Sequence, residues 1–147
     1  FGSTTTVTAQ LSAPSGLTVT VNLSKGGTAT DGGVLSDYTM GSVIAVPAAS
    51  TSASINLGVV SDTKDENDET IIIDIDSVTN GTESGGGTGQ QQTVNILDDD
   101  DKPTVSLAVG SSSITEAAGT TTITASLSAV SGRDVIVNLK TTGSTAQ

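Results

Sequence analysis

The chain has 147 residues, 16 acidic against 5 basic side chains, and a formal net charge of −11. It contains no cysteine and no histidine, which excludes disulfide staples, Cys/His zinc sites, thiol catalysis and any imidazole general base. With one Phe, one Tyr and no Trp, the core must rest on aliphatic side chains worth roughly 1.5–3 kcal/mol each when fully buried, and so thin a core needs outside support.

The elements run as strands throughout. Alternation of apolar and polar residues predicts strands over Thr5–Leu11, Leu17–Leu23 and Thr51–Val59. An acidic stretch, SDTKDENDET, follows at 61–70. Ile71 to Asp76 begins as an apolar run and then alternates. The Gly- and Gln-rich stretch from Gly81 to Gln92 reads as a flexible hairpin loop, because a clear strand, Thr93–Leu97, comes after it. The run Asp98-Asp99-Asp100-Asp101-Lys102-Pro103 marks a domain boundary, and a new strand begins at Thr104-Val105-Ser106-Leu107. No window gives an amphipathic helix. Many short strands separated by turn residues predict an all-β, antiparallel, immunoglobulin-like β-sandwich.

The chain also repeats itself. TTTVTAQLSAPSGLTVTVNLSKGG (Thr4–Gly27) and TTTITASLSAVSGRDVIVNLKTTG (Thr120–Gly143) agree at 15 of 24 positions without a gap, at an offset of 116. That period is the length of a whole domain rather than of a solenoid turn. Residues 1–101 are expected to form one domain lacking its opening strand, and 102–147 the N-terminal strands of a second. Two readings follow: the chain is a piece of a longer repeat protein, or residues 103–147 donate strands to a neighbouring copy, building a homopolymer by strand exchange.

The carboxylates are unevenly placed. Asp62 to Glu69 and Asp98 to Asp101 hold nine of the sixteen, and each group follows directly on a strand. If those strands end at one pole of a sandwich, the carboxylates converge, and each close pair of like charges costs on the order of 1 kcal/mol. A hard cation with many oxygen ligands removes that cost, which points to calcium; no soft ligand is present to select zinc or copper. The other reading is two solvated acidic loops. The residues by themselves leave both open.

An ordered set of motifs resembles the Calx-β family, the calcium-binding sandwich domain of sodium–calcium exchangers, of an integrin and of large bacterial surface proteins. Ser113-Ile114-Thr115-Glu116-Ala117-Ala118-Gly119 is similar to the opening strand and its glutamate, and Thr120–Leu127 with Asp134–Leu139 to the next two strands. Gly27-Thr28-Ala29 and Ser36-Asp37-Tyr38 are similar to the family's "GTA…DY" signature. Val46-Pro47-Ala48 with Ser50–Leu57, Asp62–Thr70 and Val94–Asp100 match the later strand, the acidic loop and the terminal aspartates. The resemblance implies calcium ligands at Asp37, Asp62, Glu66, Asp98, Asp99 and Asp100, with Glu116 serving the following domain. Where the family often opens the acidic loop with two aspartates, this chain has Ser61-Asp62, one ligand fewer. Tyr38 is read as a packing residue and not as a catalytic phenol.

The expected function is a calcium-binding structural module of an extracellular or cell-surface protein, of bacterial type: an adhesin stalk, filament or matrix component. Calcium would rigidify the joint at Asp98–Asp100, and the partners would be neighbouring repeats. The alternative is a calcium-sensing domain that changes its interdomain angle. A carboxylate-pair glycosidase is not expected, because almost no aromatic residues are present to line a sugar groove. Five scattered basic residues exclude a nucleic-acid surface, and no apolar run approaches the ~20 residues of a membrane span.

Overall fold

The structure, a computed structural model, describes residues 2–34, 36–87 and 89–143. The described residues form nine strands and no helix: β1 (Thr4–Gln10), β2 (Val19–Gly27), β3 (Tyr38–Met40), β4 (Val43–Val46), β5 (Ser52–Val59), β6 (Glu69–Thr79), β7 (Gln92–Ile96), β8 (Val105–Val109) and β9 (Ile123–Leu127). All the strand pairings are antiparallel. The all-β sandwich expected from the alternation is therefore what forms. None of the described residues belongs to a helix long and apolar enough to cross a membrane.

The chain divides into two compact units, Phe1–Asp62 with Asp68–Leu97, and Thr63–Asn67 with Asp98–Gln147. In the first, one sheet has the order β1-β5-β3 and the other β4-β2-β6-β7. β6, the longest strand at 11 residues, pairs with both β2 and β7. Its register against β2 slips between Asn22 and Leu23, where Asn22 faces Ser77 and Leu23 faces Ile75, leaving Asp76 as the extra residue of a bulge.

The core is aliphatic, as the composition requires, with one exception at its centre. Val19, Val21, Ile44 and Val46 form one buried cluster; Tyr38, Met40, Leu57, Ile71 and Ile73 form the other. Tyr38 is only 1% exposed and supplies the aromatic bulk of the core, which agrees with its reading as a packing residue. Burial pushes its phenol pKa up from 10.0, and the Asp31 carboxylate adds to that rise.

Three segments differ from what the sequence led us to expect. β2 begins at Val19 rather than Leu17, because Leu17 sits in a turn where its N–H donates to Ser15 Oγ at 3.1 Å. It then runs on to Gly27, since the length of β6 offers partners as far as Ile71. In the second unit β8 and β9 form where strands were expected and pair with each other, but Ser113–Gly119, likened to the opening strand, holds a turn and no strand, and residues 134–139 form no strand either. Their counterpart β2 is held between β4 and β6. Among the described residues nothing pairs with 134–139, and a strand without a ladder partner has no backbone bonds to hold it.

Candidate metal centre

The acidic residues expected as ligands divide between the units. Asp37 and Asp62 belong to the first; Glu66, Asp98, Asp99, Asp100 and Glu116 belong to the second.

Within the first unit, a chain of hydrogen bonds ties the strand ends of both sheets to one pole. β2 ends at Gly27, whose φ of 107° carries the chain across the start of β6. A Cβ there would lie 2.1 Å from Thr70 O, so only glycine fits. The N–H groups of Thr28 and Ala29 then both donate to Thr70 O at 3.0 Å, and Thr70 N–H donates to Thr28 Oγ1 at 2.9 Å. Two residues on, Thr30 N–H donates to Asp37 Oδ2 at 2.6 Å while Asp37 N–H donates to Thr30 O at 3.0 Å. Asp37 O in turn accepts from Val60 N–H at 2.8 Å, just past the end of β5. Glu69, the first residue of β6, faces Ile96, the last residue of β7.

The strand that precedes each acidic window, β5 for the first and β7 for the second, therefore ends at this pole. Asp37 is half-buried there, and Asp62 is exposed two residues beyond Val60. Lys25 pairs with Asp31 and donates to Met40 O at 3.0 Å, so its charge is spent on a neighbouring carboxylate and not on Asp37.

In the second unit, Asp98 and Asp100 are half-buried and Asp99 is exposed. Glu66 is half-buried and paired with Lys64. Glu116 is exposed at a turn closed by Gly119 N–H to Thr115 O, 3.0 Å. Among the described residues, no three acidic side chains are gathered closely enough to hold one ion. The donor chemistry nonetheless suits a hard divalent cation: every candidate is a carboxylate, and Asp37, Asp98 and Asp100 are partly withdrawn from water.

The residue that sequence reasoning missed is Asp65. It is the buried charged side chain of the described structure, 5% exposed. Arg133 pairs with it through both Nη2 and Nε, the latter 3.2 Å from Oδ2, and Ser131 Oγ lies 3.4 Å from the same oxygen. Gly132 N–H donates to Asp65 O at 3.0 Å, and Arg133 Nη1 donates to Asn67 Oδ1 at 3.2 Å. A signal was present in the repeat: Arg133, the chain's single arginine, stands where the first copy has Leu17. Asp65 is thus paired with a guanidinium and buried, where the other acids of its loop are half-buried or exposed.

The comparisons agree with the geometry. A family profile described as the Calx-beta domain matches residues 2–100 and again 98–147. Neither a curated protein nor a solved structure matches the chain. With two sheets of antiparallel strands, acidic segments leaving one pole of the first unit, and a profile whose two successive matches together cover residues 2–147, the chain belongs to the Calx-beta domain family.

Proposed function

We propose that this chain is a calcium-stabilised structural repeat module of an extracellular or cell-surface protein, with a mechanical rather than a catalytic role. The observation that carries the reading is the bonded path from Thr70 through Thr30 and Asp37 to Val60. It fixes the origin of the acidic loop and the half-buried Asp37 at one pole before any ion arrives. Asp37, Asp62, Glu66, Asp98, Asp99 and Asp100 would supply the oxygens, and Glu116 would serve the repeat that follows. Calcium supplies countercharge and coordination there. The chain's part is to hold Asp37 by its backbone and to deliver the aspartate run directly from β7.

Calcium that binds only the folded state adds RT ln(1 + [L]/Kd) to stability. A weak site of the extracellular kind, with Kd of about 10⁻⁴–10⁻³ M, is sufficient for that role. Calorimetric titration with calcium, paired with melting curves, tests it. Weak binding with a clear rise in Tm is expected. No heat of binding and an unchanged Tm would sink the proposal, and micromolar affinity with a scattering-detected bend would favour a sensor instead.

A further inference from the structure

Lys25 stands where the alternation of β2 calls for an apolar side chain. Val19, Val21 and Leu23 turn inward along that strand, and Lys25 is the next residue of the series. Its ladder partner on β6 is Ile73, which is buried in the core, and residues directly opposite in an antiparallel pair share a face. The Lys25 side chain is accordingly only 17% exposed. Withdrawing an ammonium from water is costly unless it is paired and hydrogen-bonded, so its place in the fold depends on its two partners.

Those partners lie on different parts of the first unit. Lys25 Nζ donates to Met40 O at 3.0 Å, at the end of β3, and β3 belongs to the opposite sheet. The same ammonium pairs with the Asp31 carboxylate, in the connection between β2 and β3. Asp31 also forms a backbone bridge with Tyr38. The residue before it, Thr30, donates its N–H to Asp37 Oδ2 at 2.6 Å and accepts from Asp37 N–H at 3.0 Å. One ammonium therefore ties β2 to the other sheet and holds the neighbour of the residue against which the Asp37 carboxylate rests.

We propose that Lys25 is a positioning residue for the calcium pole: by holding Met40 O and Asp31 it fixes the turn at Thr30, and so presents the Asp37 carboxylate in one place before an ion arrives. The inference rests on the calcium reading above and adds to it a residue that donates no oxygen to the ion. A ligand that is already ordered loses less freedom on binding. Charge alone would act in the other direction, since an ammonium at the pole repels a cation. The two roles thus predict opposite signs when the ammonium is removed: a residue acting only as a charge would, on removal, tighten calcium binding, and a residue that positions Asp37 would weaken it.

Calorimetric calcium titration of the full chain and of two variants tests the assignment. Lys25→Met keeps an unbranched stem on the core face and leaves the pole one charge more negative. The double variant Lys25→Met with Asp31→Asn removes one charge of each sign and leaves the net charge unchanged. Both are expected to bind calcium about tenfold more weakly than the parent, a change of about 1.4 kcal/mol. Hydrogen exchange without calcium gives a second readout: the amides of Thr30 and Asp37 should exchange about tenfold faster in both variants, while Val21, inside β2, keeps the parent's rate. Should Lys25→Met fail to fold, Asp31→Asn alone carries the exchange measurement. Calcium binding as tight as the parent's or tighter, unchanged exchange at Thr30 and Asp37, or exchange that quickens equally at Val21 would overturn the proposal. A parent chain that binds no calcium would overturn the calcium reading instead, and the exchange rates would still decide whether Lys25 fixes Asp37.

Discussion

Asp65 and Arg133 are joined side by side, Nε to Oδ2 at 3.2 Å and Nη2 to Oδ1, with the carboxylate almost wholly out of water. The pair holds together two segments of the second unit that are 68 residues apart in sequence. Its worth lies in the cost of breaking it. Removing one partner of a buried pair strands the other's charge at 3–5 kcal/mol, and the one-third exposure of Arg133 reduces that figure.

Arg133→Ala is accordingly expected to destabilise the second unit by roughly 1–3 kcal/mol, read by urea unfolding. Asp65→Asn should cost less, because an amide oxygen still accepts from Nε. Equal stability of Arg133→Ala and the parent would show that the contact carries no weight.

Alkaline titration isolates Tyr38, since the chain has one tyrosine. Its pKa is raised in the folded state by burial first and Asp31 second. The folded protein then holds the phenolic proton more tightly than the unfolded chain does. Stability from this group is intact below the unfolded value of 10.0 and declines as pH rises through the folded one. Tyrosinate absorbance should show a midpoint above 10.0 in the folded protein, and Asp31→Asn should lower that midpoint. A midpoint at or below the free value would contradict the burial of Tyr38.

Asp37 and Asp99 separate structural from calcium effects. Asp37 accepts the Thr30 N–H at 2.6 Å, so Asp37→Asn should cost about 1 kcal/mol without calcium and also weaken calcium binding. Asp99 is exposed, so Asp99→Asn should leave calcium-free stability within about 0.5 kcal/mol and lower calcium affinity roughly tenfold, or 1.4 kcal/mol. Calorimetry and melting curves on both variants check this. A full calcium response in both would remove these residues from the ligand set.

Gly27→Ala places a Cβ against Thr70 O where φ is already 107°. The substitution is expected to cost at least about 2 kcal/mol and to break the Thr28–Thr70 bonds. Melting temperature and hydrogen exchange at Thr28 and Ala29 measure it.

Most of the strands were legible because alternation reports which face is buried: Val19 and Val21 point in, and Thr20 between them does not. Strand ends were less so, because they depend on how far a partner extends; Gly27 belongs to β2 only because β6 reaches back to Ile71. Residues 134–139 alternate as β2 does, yet form no strand, since pattern cannot supply a neighbour. The acidic windows were visible as composition. Asp65 was not separable from Asp62 or Glu66 by composition, because its distinction lies in a partner 68 residues away.

The placement of β1 has a mechanical consequence. Its first residue, Thr4, lies opposite Gly58 near the end of β5, at the same pole that β7 leaves. Tension applied between those two strand ends would peel β1 from β5 one bond at a time, the weakest way to load a ladder.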